Sequence, residues 1–213
     1  MGVTVLVSYL CFNNRELFEK LKHSPYREKN HGEYYRLVTS GFVHGSWTHL
    51  LINMFVYYSF GRFTEAALGG YAYEFTGEDF SEYAFATTIS PLIFLVLYLL
   101  TIVIANIPTL LKHSENPYYG AIGASGAVSG ALFCYILFLP WTTIQLYFFI
   151  PIYSIIAGVA FLIYSQYAAK RGGDNIDHIA HFYGAIAMPI MLVALRPELV
   201  GHFIEALTIN RPF

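Results

Sequence analysis

Charge is what this chain of 213 residues has least of: Asp, Glu, Lys and Arg together make up 12% of it, where a soluble domain carries about 25%. Cysteine is nearly absent. Its two copies, Cys11 and Cys134, sit in apolar runs; no spacing suggests a metal knuckle, and they read as inert packing residues, a disulfide between them being the unsupported alternative. The net charge of −2 offers no basic face to a nucleic acid, which is excluded as a partner. No basic residue precedes the first apolar run and no small-residue cleavage site follows it, so it does not read as a signal peptide. There is no internal repeat and no low-complexity tract. What the chain does have is 56% hydrophobic residues, with 18 Tyr and 18 Phe. That composition reads as a polytopic membrane protein with the lipid bilayer as its solvent, and most of the Tyr and Trp as interfacial belts.

Spanning a bilayer takes roughly 17–25 mostly apolar residues. Five runs qualify: about 46–64, 88–111, 121–139, 144–168 and 176–195. A sixth, 3–12, is short and reads as a first transmembrane helix, as if the chain began downstream of its natural start. Polar stretches at 13–45, 65–87, 112–120 and 169–175 and a tight "PWTT" turn at 140–143 separate the runs. The expectation is an all-α bundle of six transmembrane helices forming one domain over residues 1–213. With both chain ends on one side, helices two, four and six start from the same opposite face.

Three polar sets sit near those three starts. Helix two carries His49 and Asn53, four apart and so on one face. Helix four carries Ser125 inside "GASG". Helix six carries His181 in "DHIAHFYGA". Each is expected about five residues inside its helix, roughly 7–8 Å deep at 1.5 Å per residue. Buried in lipid, such groups are costly and mark function. Gly126 and Gly130 make a G-x-x-x-G face, and Ala180 and Gly184 offer small residues four apart on helix six, so the two helices can approach closely. Gly123 frees the backbone ahead of the serine, letting N–H groups at a helix start face an anion. Ser125 needs a base to react, and His181 is the obvious one; His49 and Asn53 would donate to the oxyanion.

At these residues the chain resembles the rhomboid family of intramembrane serine proteases, from about residue 33 to 190. Gly123–Gly126 matches the family's G-x-S-G nucleophile motif, Ala180–Gly184 its A-H-x-x-G motif, and His49–Asn53 its H-x-x-x-N pair. Glu33–Arg36 resembles its E-x-x-R element, and Gly61–Glu65 the end of its second helix. The resemblance implies a dyad of Ser125 and His181, an oxyanion site of His49, Asn53 and Ser125, no cofactor or metal, and cleavage of transmembrane segments of other proteins near the membrane surface. A bacterial cytoplasmic membrane is the expected location; nothing specifies an oligomeric state. Three departures stand beside it. Ser129 occupies the position where many bacterial members stack an aromatic ring on the histidine. The first helix is short. Nine of the twelve Lys and Arg lie in the loops after helices one, three and five, the side that the positive-inside rule places in the cytoplasm and the family usually faces outward.

Plainer roles attach to the neighbours. Ser129 reads as a packing residue, and His44 as a boundary residue off the face of His49, with Ser46 capping helix two. His178 is expected to face water. Asp177 reads as a cap or dipole partner rather than the acid of a triad. Pro151 and Gly158 are expected to let helix five bend, with lateral substrate access between helices two and five. The alternative functions are a catalytically inactive rhomboid-like binding or chaperone protein, or a membrane protein holding a metal or haem on His44, His49, His178 and His181. No H-E-x-x-H pattern favours metal.

Overall fold

Asn14 ends one helix and starts the next. Helix α1 (Gly2–Asn13) stops where Asn14 turns extended, and the Asn14 side chain then accepts the Leu17 N–H to cap α2 (Arg15–Leu21). In the computed structural model, which describes residues 1–146, 149–174 and 176–209, the chain is mostly helical. The first polar stretch holds α2, α3 (Pro25–His31) and α4 (Arg36–Thr39), then a 3₁₀ turn at Ser40–Phe42. Ser46 caps α5 (Trp47–Val56) by accepting the His49 N–H at 3.1 Å, as expected. Helix α5 runs through a π turn at Tyr57–Gly61 into α6 (Arg62–Gly69). Then come α7 (Tyr73–Thr76), α8 (Ser90–His113), α9 (Ser125–Phe138), strands β1 (Thr143–Leu146) and β2 (Ile150–Tyr153), α10 (Ser154–Arg171), α11 (His178–Leu195) and α12 (Glu198–Ile209).

The expected six spans need narrowing. Among the described residues, two helices are long and apolar enough to cross a membrane by length and composition, α8 and α11; α1 and α9 are apolar but shorter. The run 144–168 does not begin as a helix. Its Ile144–Leu146 instead pair antiparallel with Ile150–Ile152, β1 against β2, with Thr143 opposite Tyr153. Pro151 therefore lies in a strand and cannot bend the following helix. Ser154 joins the hairpin to the bundle, its hydroxyl within 2.7 Å of the Leu139 carbonyl and 2.9 Å of that of Pro140. The sequence reading also missed α12. Its Leu199 is fully buried, and the His202 ring nitrogen lies 2.8 Å from the Phe138 carbonyl.

Small residues bring α9 and α11 together at backbone distance. A Cβ at Gly184 would fall far inside van der Waals contact distance of the Gly126 carbonyl oxygen. One at Gly130 would meet the Gly184 carbonyl at 2.8 Å, and one at Gly126 would meet the Ala105 methyl at 2.9 Å. The contact is backbone on backbone, as the paired small-residue faces anticipate. Away from it, the core is closed by edge-to-face rings, Phe63, Phe80 and Phe138, at 5.1–5.9 Å. The two cysteines are buried and free.

The loop after α1 is held by charge. Arg36 is 1% exposed. Its Nε donates to Glu33 at 2.6 Å, and one terminal nitrogen donates to the carbonyls of Glu19 (2.7 Å) and Lys22 (3.0 Å). Arg27 grips the same Glu33 with two bonds of 2.9 Å. Arg27 first, and Arg36 with it, hold the Glu33 carboxyl below the usual carboxylate range. Three of the four other Lys and Arg of this loop are paired as well: Arg15 and Lys22 with Glu19, and Lys29 with Glu115.

Two outcomes follow from this packing. Gly184→Ala must displace backbone, so it is expected to cost about 1–3 kcal/mol and lower the thermal midpoint in detergent. Gly201→Ala, whose Cβ meets nothing within 4 Å, is expected to leave the midpoint at or above the wild-type value. A lowered carboxylate pKa stabilises above the unfolded value, about 4.3 for Glu, and that contribution is lost as pH falls through the native value. Glu33→Gln is therefore expected to cost about 1–2 kcal/mol at pH 7, and thermal melts of the two proteins should converge as pH falls below about 4.

Candidate active site

The segment ahead of Ser125 is extended and braced by the first loop. His23 and Ala121 exchange backbone hydrogen bonds of 3.0 and 3.1 Å, and the Gly123 N–H donates to the Ser40 carbonyl at 3.0 Å. His23 is locked in turn. Its Nδ1 lies 2.6 Å from a Glu28 carboxylate oxygen, which also accepts the Ser24 N–H, and both side chains are fully buried. Asn106 of α8 donates to the Leu37 carbonyl and to the Ser40 hydroxyl.

Gly123 sits at φ +115°, a conformation that side chains other than hydrogen rarely adopt. A Cβ there would lie 2.8 Å from His49 Nε2. Glycine is thus needed twice, for the turn and for the imidazole that fills its empty side. The turn also corrects an expectation. Ser125 is the first residue of α9 rather than a residue some five positions inside it. An extended strap, not a helical turn, carries the hydroxyl to its depth. The first N–H groups of α9 consequently lie outside the intrahelical ladder.

His181 comes from the first turn of α11. Asp177 caps that helix, accepting the Ala180 N–H at 2.9 Å and the Thr109 hydroxyl at 3.0 Å, which is the cap role read from sequence. Burial and the neighbouring Asp177 carboxylate push the Tyr119 phenol up in pKa. With the backbones touching one turn below, His181 Nε2 lies 2.7 Å from Ser125 Oγ. The aromatic ring that Ser129 cannot supply arrives from another helix. Phe161 of α10 stacks on the imidazole, 6.1 Å between centroids and 26° between planes. Nothing in the run 144–168 distinguished Phe161 from its apolar neighbours.

His178 does not face water. It is 4% exposed, with its Nε2 2.9 Å from an Asp174 carboxylate oxygen and its ring edge-on to both Tyr164 and His181. This hydrogen bond holds the Asp174 carboxyl below the usual range. The loop before α11 folds Asp174 back onto the helix, an i,i+4 pairing that burial of the ring requires. His44 sits at the loop–helix boundary, as expected, but not away from His49. Fully buried, it lies with Nδ1 2.9 Å from the Ser8 hydroxyl and its ring edge-on to His49 at 4.8 Å. It thereby links α1 to the site. Among the described residues, no three of His, Cys, Asp or Glu gather in a way that could hold a metal ion.

His49 and Asn53 reach the same space from α5. Asn53 is buried and donates one amide hydrogen to the His49 carbonyl at 3.0 Å, leaving the second hydrogen of that nitrogen for another acceptor. A cavity of about 490 Å³ connects the groups; its wall includes His49, Asn53, Gly123, Ser125, Ser129 and His181. Buried Ser129 faces it as part of the wall. The cavity continues past Ile52 and Val56 of α5 and Phe161 of α10.

The family model described as "Rhomboid domain" matches residues 31–75 and 82–197. Rhomboid-like protein 11, chloroplastic, of Arabidopsis thaliana is 25% identical over 181 residues, covering 79% of this chain and 55% of that protein. RHOMBOID-like protein 12, mitochondrial, of the same plant is 25% identical over 210 residues, covering 90% and 55%. The chain thus spans about half the length of the curated relatives it matches. A family match that runs from the first loop to the end of α11, and takes in every helix that lines the cavity, makes this chain an integral membrane protein of the rhomboid family.

Proposed function

We propose that the chain is an intramembrane serine endopeptidase that cleaves transmembrane segments of other proteins near the membrane surface, with Ser125 as nucleophile and His181 as general base. The observation that carries this reading is the 2.7 Å separation of Ser125 Oγ and His181 Nε2. Ser125 Oγ attacks the peptide carbonyl as His181 Nε2 takes its proton. The oxyanion is held by His49, by the free amide hydrogen of Asn53 and by the Ser125 N–H at the helix start. His181 then protonates the leaving amine, and water releases the acyl group by the reverse proton path. No residue besides Ser125 and His181 is asked to move a proton. The resting dyad is in hydrogen-bonding contact, which weighs against the inactive relative.

The helical arrangement belongs to the same proposal. One domain over 1–213 crosses the bilayer with α1, α5–α6, α8, α9, α10 and α11, the shorter α1 and α9 being immersed beside longer neighbours. Substrate comes laterally between α5 and α10, where Ile52, Val56 and Phe161 wall the cavity. It must be locally unwound, since a regular helix keeps its carbonyls in internal hydrogen bonds. The site face is read as outward. A bacterial cytoplasmic membrane finds no support in relatives named as chloroplastic and mitochondrial, and the reading is confined to an integral membrane location.

Cleavage of a panel of transmembrane peptides in liposomes tests the proposal. Ser125→Ala and His181→Ala are each expected to lose about 10³-fold or more; wild-type rates in His181→Ala would overturn the dyad. Phe161→Ala keeps both groups but frees the imidazole. A fall in kcat of about fivefold to tenfold with KM little changed is expected from a stacking contribution near 1 kcal/mol.

A further inference from the structure

A second cavity, about 290 Å³, opens on the same face of the molecule between α8, α10 and α11, and the catalytic reading makes no use of it. Its wall includes Pro108, Lys112, Ser165, Lys170, Phe182 and Tyr183. The helix directions order these residues by depth. Lys112 and Lys170 lie in the last turns of α8 and α10, beside the polar loops. Pro108 lies four residues deeper, about 6 Å, and Ser165 five residues deeper, about 7–8 Å. The cavity therefore has a cationic rim and a hydroxyl lower down, with the apolar Phe182 ring and the Tyr183 side chain along α11.

Two observations mark it as a receptor rather than a packing gap. Neither Lys112 nor Lys170 makes an ion pair among the described residues, whereas five of the six first-loop cations are paired with acids. Ser165 is fully buried, and its hydroxyl has no hydrogen-bond partner. A buried hydroxyl left without a partner costs about 1–3 kcal/mol; an acceptor from outside would relieve that cost.

We propose that this cavity binds the headgroup and glycerol region of an anionic glycerophospholipid. The phosphate sits between the Lys112 and Lys170 ammonium groups, which donate to its oxygens. An acyl-ester carbonyl, a few ångströms further into the bilayer, accepts the Ser165 hydroxyl. The acyl chains leave along the apolar sides of α10 and α11. Two cations at one depth and a neutral donor below them match a lipid phosphate and ester. They do not match free phosphate, which would leave Ser165 unpaired. The bound lipid would tie α10 to α8 and α11, one turn from Phe161.

Native mass spectrometry of the whole chain, released from detergent micelles after titration with phosphatidylglycerol, phosphatidylcholine or inorganic phosphate, tests the site. One tightly retained phosphatidylglycerol per chain is expected, with at least tenfold weaker retention of phosphatidylcholine and no displacement by millimolar inorganic phosphate. Lys112→Gln/Lys170→Gln should weaken retention at least tenfold, Lys112→Arg/Lys170→Arg should restore it, and Ser165→Ala should weaken it about threefold. Thermal melts in the same detergent show whether each variant is folded. Equal retention by the wild type and the folded Gln variant would overturn the proposal. Displacement by inorganic phosphate, or an unaltered Ser165→Ala, would overturn the lipid assignment. Should the Gln pair not fold, the Ser165→Ala and phosphate arms decide alone.

Discussion

Two helices touch at their backbones, and the rest of the structure is arranged around that contact. Gly184 has no room for a methyl group because the Gly126 carbonyl occupies the space, and Gly130 faces the Gly184 carbonyl in the same way. In lipid there is little hydrophobic force to draw helices together, so van der Waals contact of this kind carries the association. The consequence is chemical. Ser125 opens α9 and His181 lies in the first turn of α11, so the glycine contact one turn below sets the separation of their side chains. A spacing enlarged by one methyl group would stretch a 2.7 Å hydrogen bond beyond the range where proton transfer is efficient.

Close helices would not suffice without a strap that places the serine at a helix start. The strap from Ala121 to Ala124 is held by backbone bonds to His23 and Ser40, and these are held by the buried His23–Glu28 pair and the part-buried Arg36–Glu33 pair. A polar loop thus acts as a splint for a short intramembrane segment. Glu28 and Glu33 pair with its own His23, Arg27 and Arg36, and the His23 and Ser40 carbonyls accept from the strap. The same splint sets Ser125 at the helix start, where its N–H is free of the helical ladder, as that of a serine deeper in the helix could not be.

Much of this was legible in the residues. The Gly126–Gly130 and Ala180–Gly184 spacings gave the helix contact, the H-x-x-x-N spacing put His49 and Asn53 on one face, and Asp177 and Ser46 were read as the caps they are. What escaped depends on partners distant in the chain. Phe161 is one apolar residue among many, and only the packing of α10 on α11 turns its ring onto His181. His178 looked like a rim residue because the Asp174 that buries it lies across a loop. The run 144–168 counted as one span because hydropathy does not see that Ile144–Leu146 pair with Ile150–Ile152 rather than coil. Helix α12, with an amphipathic rather than uniformly apolar pattern, fell below a test built for membrane crossings.

The central claim is that the Ser125 hydroxyl is activated by His181 at the crossing of α9 and α11. Its most direct test is the reaction of the purified protein with a serine-directed fluorophosphonate, followed by peptide mapping of the adduct by mass spectrometry. A single adduct on Ser125, formed at a rate that collapses when His181 is replaced by alanine, is the predicted result. An adduct on another serine, or one that forms on Ser125 equally fast without the imidazole, would contradict it.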